Sequence, residues 1–182
     1  MLASHYEQLL SRLPACSPEQ RTAFLLRAVS RAVRAFAACQ PGNPTPLLLQ
    51  EGLNEILGRL PAPLLPGHTL EPLCRLADEL VQVSAADDDD GEPKDRVGFY
   101  VGAATALMLA LLTGRLDGPK HAAMCASHVI HVLEQVYEDE EVGRLEKDWQ
   151  ARALLSAGGP LTAQAILVLP SYDPGPVCRS RR

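Results

Sequence analysis

The sequence predicts an all-α fold: a compact bundle of about six or seven helices around a central apolar helix at about 94–114, followed by a loose C-terminal tail. Three observations carry this reading. The segment from Val97 to Gly114, between Arg96 and Arg115, holds no charge, and a helix without a polar face needs other helices to cover it. Aromatic residues make up only 4% of the chain while leucine and alanine abound, a balance that favours helix interiors over strands. Apolar residues also recur at helical spacing in several segments bounded by capping residues, proline or glycine. The 182 residues divide into one helical domain over 1–157 and a flexible tail over 158–182 that contains prolines and glycines.

Ser4 with Glu7 forms a capping-box pattern that opens a first helix, and Pro14 stops it after Leu13. Ser17, Pro18 and Gln20 open a second helix, whose apolar series runs through Phe24, Leu25, Ala28, Val29, Ala32, Val33 and Phe36 and ends near Gln40. Thr45-Pro46 opens a third helix through Leu60, with Leu49, Leu53, Ile56 and Leu57 at helical spacing. Thr69 caps a fourth that carries Leu73, Leu76, Ala77, Leu80 and Val81 on one face. The central helix follows an acidic loop, and its small residues Gly98, Gly102, Ala106, Ala110 and Gly114 fall every fourth position, allowing close approach of a neighbour. Asp117 is the expected cap of a sixth helix with Pro119 just inside it, reaching about Tyr137. A last helix holds Val142, Leu145, Trp149 and Ala153, with the single Trp as a core anchor. Beyond Gly158 a short apolar run from Ala165 to Leu169 has no partner legible in the sequence.

The net charge of −5 is unevenly spread. Residues 1–86 are neutral, residues 87–148 hold six basic and fourteen acidic residues for a net −8, and residues 149–182 carry +3. Such an acidic middle repels phosphate backbones and attracts a basic protein, which argues against nucleic acid as a partner. The odd set Cys16, Cys39, Cys74, Cys125 and Cys178 shows no CxxC spacing and follows no signal peptide, so a cytoplasmic location without disulfides is expected. Glycine, alanine and threonine dilute the central segment, which makes a membrane span the lesser reading.

Four motifs invite chemistry. Asp87, Asp88, Asp89, Asp90 and Glu92 suggest calcium, but with Gly91 in the sixth loop position Ala86 and Val97 fall where carboxylates are needed. His121, Cys125 and His128 recur at i, i+4 and i+7 and are the weak metal candidates; the helical layout places His128 and His131 on the wet side, opposite Ala122, Ala126, Val129 and Leu133. Arg27, Arg31 and Arg34 form a basic stripe away from the apolar side of the second helix, which reads as a solvated face or a partner for the acidic middle of the same chain, with anion binding as the lesser reading. Glu138, Asp139, Glu140 and Glu141 form a second acidic run at a helix boundary. GxSxG, P-loop and GxGxxG patterns are absent, so no catalytic residues and no cofactor are assigned.

The order of these features resembles the YjaG-like bacterial proteins, domain of unknown function 416. The resemblance rests on PEQRTAFLLRAVSRAVRAF, LLLQEGLNEILGRL, SAADDDDGEPKDRVGFYVGAATALMLALLTGRL, HAAMCASHVIHVLEQ and EKDWQARALL, and covers about residues 17–155. It implies an all-helical fold and transfers no catalytic residue, because the family has no settled activity. The functional expectation is a non-enzymatic cytoplasmic protein that binds another protein, with Asp87–Asp90, Glu92 and Glu138–Glu141 steering a basic partner such as a secreted toxin neutralised by its immunity protein. A metal-binding or metal-sensing protein using His121, Cys125 and His128 is the alternative, and a membrane-associated protein the next.

Overall fold

The computed structural model describes residues 2–60, 70–85, 95–154, 161–172 and 174. Among these the fold is all-helical and without strands: α1 (Leu2–Arg12), α2 (Pro18–Cys39), α3 (Pro44–Arg59), α4 (Glu71–Ser84), α5 (Arg96–Leu112), α6 (Pro119–Tyr137), α7 (Glu140–Leu154) and the short α8 (Ala163–Val168), with a 3-10 turn at Leu13–Ala15. No described helix is long and apolar enough to cross a membrane.

Local chemistry sets most of the boundaries. The capping box at α2 is complete: Ser17 Oγ accepts the Gln20 amide at 3.2 Å, and Gln20 Oε1 accepts the Ser17 amide at 2.6 Å. At α5 the Asp95 carboxylate accepts the Gly98 amide at 2.9 Å. Asn43, two residues ahead of the predicted start at Thr45, caps α3 through the Thr45 amide. Three expected caps differ. Ser4 lies inside α1, which begins at Leu2, and so does not open that helix. Asp117 does not cap α6; that position belongs to Gly118 at φ 106°, where a side chain is strained, and the Asp117 carboxylate instead accepts the Gly118 amide. At α4 the cap position falls on Leu70, which offers no side-chain acceptor, while Thr69 lies outside the described residues.

Two helices share the centre. α2 buries Phe24, Leu25, Leu26, Val29, Val33 and Phe36 and touches α3, α5, α6, α7 and α8. Each large apolar side chain so buried stabilises by roughly 1.5–3 kcal/mol, which makes α2 the helix hardest to perturb. The apolar α5 lies against α4, α6 and α2, with Val101, Ala104, Met108 and Leu109 fully buried. Its small-residue series works at two rungs. A Cβ on Gly102 would stand 2.7 Å from Val81 Cγ2 and 3.0 Å from both the Ala77 carbonyl oxygen and the Val81 amide nitrogen, so the α4 backbone passes there. Gly98 faces side chains instead, the Ser84 hydroxyl and the Asp95 carboxylate, whereas Gly114 lies beyond the helix at φ 70° and serves the turn into α6. Trp149 is fully buried against Phe24, their rings stacked with centroids 6.0 Å apart.

Part of the segment that the sequence assigns to the tail is docked. α8 packs on α2, Ile166 is fully buried, and Gln20 Nε2 donates to the Leu161 carbonyl at 2.8 Å. The apolar run finds its partner far back in the chain, and residues 175–182 lie outside the described residues.

Candidate functional site

Acidic residues fall in two places. Asp87, Asp88, Asp89, Asp90 and Glu92 lie outside the described residues. Glu138 and Asp139 form the turn between α6 and α7, Glu140 and Glu141 begin α7, and all four are exposed. Glu138 takes a left-handed conformation at φ 52° and ends α6, while Asp139 Oδ1 accepts the Glu141 amide at 2.8 Å and starts α7. The turn is therefore pinned from both sides. Glu141 pairs with Arg144, whose guanidinium holds that carboxyl below its ordinary range. Arg144 also reaches Asp148 at 3.0 Å.

The metal candidates are not brought together. Cys125 is fully buried and its thiol donates to the Ala104 carbonyl of α5 at 3.2 Å, with burial raising its pKa to about 12. A thiolate ligand is disfavoured there. His121 Nδ1 turns back to the Asp117 carbonyl at 2.9 Å. His128 is half-buried rather than wet: its ring lies 5.2 Å from that of Tyr100, and Nδ1 is buried without a partner. The cause is Tyr100 on α5, which also meets His131 and roofs the polar side of α6. Burial, then the neighbouring His131, pulls the His128 pKa below its ordinary value. Among the described residues no group of three or more His, Cys, Asp or Glu side chains is placed to hold a metal ion.

The densest polar arrangement lies elsewhere, between α2, α7 and the C-terminal segment. Arg31 and Glu146 form a two-pronged ion pair, Nε to Oε2 at 2.9 Å and Nη2 to Oε1 at 2.8 Å, with the Glu146 side chain fully buried. Gln150 Nε2 donates to Glu146 Oε1 at 3.0 Å and to the Ala126 carbonyl at 3.1 Å, and its Oε1 accepts from His5 Nε2 at 3.0 Å. The Tyr172 hydroxyl donates to Glu146 Oε2 at 2.8 Å. Burial first, and then the Glu146 charge, raises the Tyr172 pKa, so it remains a phenol. The guanidinium of Arg31 lies 3.6 Å from the centre of the Trp149 ring, with the Tyr172 ring at 5.8 Å.

Donors and acceptors do not balance here. Glu146 receives four hydrogen bonds, two to each oxygen, which fills its capacity and leaves it no role as a base. The cations are less satisfied. Arg27 Nη2 donates to the Leu169 carbonyl and to Ser171 Oγ, both at 3.1 Å, but its Nε is buried without an acceptor, as is Nη1 of Arg31. Burial, then Arg31 and Arg34, pulls the Arg27 pKa below its ordinary value. The arginine stripe was visible in the sequence; Glu146, Gln150, His5 and Tyr172 were not singled out. Their signal was present in α7, where Glu146 and Gln150 share the apolar stripe of Val142, Trp149 and Ala153.

Comparison with protein-family models, curated proteins and solved structures finds no match for this chain.

Proposed function

We propose that this chain is a non-enzymatic, cytoplasmic helical protein that works by binding a basic protein partner, in the manner of an immunity protein that neutralises a secreted toxin. The observation that carries the reading is the α6–α7 turn, where four consecutive carboxylates are exposed on a backbone held at both ends. Pre-organised charge of one sign accelerates the encounter with an oppositely charged surface and makes it sensitive to salt. The net −8 of residues 87–148 adds to that field. Kinship with the YjaG-like proteins over about residues 17–155 belongs to the same proposal. The metal-sensing and membrane-associated alternatives have no observation in their favour.

Affinity purification from the native cell is the test, followed by association kinetics with the captured protein. The combined substitution Glu138→Gln, Glu140→Gln and Glu141→Gln should slow association by about tenfold or more and flatten its salt dependence. Asp139 is left in place because it starts α7. Recovery of no specific partner, or association indifferent to these substitutions and to salt, would sink the proposal.

A further inference from the structure

The face of α2 opposite its apolar stripe presents polar hydrogens that the protein does not satisfy. Arg27, Ser30, Arg31 and Arg34 follow one another at i, i+3, i+4 and i+7, which places them along one strip of the helix. Three consecutive members carry a buried polar atom without a partner: Arg27 Nε, Ser30 Oγ and Arg31 Nη1. Ser30 is only 7% exposed, and a buried hydroxyl without a hydrogen bond is costly. Glu146, the carboxylate bonded to Arg31, is already filled. Of the three guanidinium groups only that of Arg31 is bonded to a carboxylate.

The arrangement is also fixed in advance. Arg31 is held by its two bonds to Glu146 and by the rings of Trp149 and Tyr172, and Arg27 by the Leu169 carbonyl and Ser171. Guanidinium groups held in place lose little freedom when they take up a further ligand, and their planar donor edges match oxyanions. The Arg31 side chain retains 12% exposure and Arg34 is open to solvent, so the strip reaches the surface.

We propose that Arg27, Ser30 and Arg31 form a binding site for a small oxyanion, a phosphate or a carboxylate group, beside the Arg31–Glu146 pair. The oxyanion accepts from Arg27 Nε, Ser30 Oγ and Arg31 Nη1, and Arg34 adds positive charge at the mouth. This site is separate from the acidic turn and does not depend on the partner proposed for it.

The test is a titration of the full chain with inorganic phosphate, and in a second arm with acetate, at constant ionic strength. Heat of binding and the fluorescence of Trp149, the one Trp of the chain, are followed together. One equivalent should bind with Kd of about 1 mM or tighter. Saturation by phosphate identifies a phosphate site and saturation by acetate alone a carboxylate site. Ser30→Ala and Arg27→Gln should each weaken binding by about tenfold, and Arg75→Gln, the same charge change on α4, by less than about twofold. Ser30→Ala should also leave the free protein as stable as the parent or more so, since it removes an unsatisfied hydroxyl. Absence of saturable binding in both arms overturns the proposal. So does a Ser30→Ala protein that binds like the parent, or an Arg75→Gln protein weakened as much as Arg27→Gln, which signals diffuse charge attraction. Should Arg27→Gln fail to fold, Ser30→Ala decides alone.

Discussion

Glu146 stands on the apolar stripe of α7 with no exposed side-chain surface, and its place there depends on Arg31. A buried charge that loses its partner is far more costly than a pair replaced by apolar groups. Arg31→Met should therefore lower stability by about 3–5 kcal/mol, and the double variant Arg31→Met with Glu146→Leu should recover much of that loss, as urea denaturation of the single and double variants will read. His128 makes the complementary case in pH. Its pKa is lowered in the folded protein, so around its ordinary value of 6.5 the unfolded chain binds more protons. The contribution is fully present above pH 6.5 and is lost as pH falls through that value toward the lower folded one. Urea midpoints should decline across this interval, and His128→Gln should flatten the decline. The ring was expected to be wet because a helical layout sorts residues by their own helix alone. Tyr100, which half-buries it, comes from α5 and is invisible to that projection.

At the scale of elements, the cap of α2 was legible, whereas the Ser4–Glu7 pattern misplaced the start of α1, which begins at Leu2, and caps depending on backbone geometry were not legible. Ser17 with Gln20 and Pro18 announces α2 unaided, because each bond of the capping box spans three residues. Asp117 looked like the cap of α6, yet Gly118 can take the positive φ that lets the chain enter that helix one residue later. The glycine series in α5 was read as a packing device throughout, but only Gly98 and Gly102 meet α4. Gly102→Ala should destabilise by about 1–3 kcal/mol, because the new methyl runs into backbone atoms of α4 that cannot rotate away. Gly58→Ala in α3 has nothing within 4 Å and should stabilise by up to about 1 kcal/mol through helix propensity. Thermal unfolding of the two variants side by side checks both signs.

For the whole molecule, the bundle was legible because amphipathic segments and one charge-free segment have few ways to cover each other. The polar centre was not, since Arg31 and Glu146 are 115 residues apart and their pairing exists only in the packed state. The same distance hides α8, whose six residues are too short to display a period. A chain ending at residue 160 should still fold. It loses the burial of Ile166 and the bonds made by Leu161, Leu169, Ser171 and Tyr172, and should be less stable by about 3 kcal/mol, measured as a lower urea midpoint. Trp149 fluorescence should shift in the same variant, because the ring of Tyr172 no longer flanks Arg31.

The long reach from α2 to α7 and α8 bears on how the protein is made. During synthesis α2 leaves the ribosome before α7, carrying Arg27 and Arg31, while Glu146 and Tyr172 follow more than a hundred residues later. Until they emerge, the helix that organises the core has exposed leucines and phenylalanines and an arginine without its counter-charge. Apolar surface left open in this way is what makes a nascent chain prone to aggregate. The ion pair closes only when α7 arrives, so it acts as a check that the polar side of α2 has been covered.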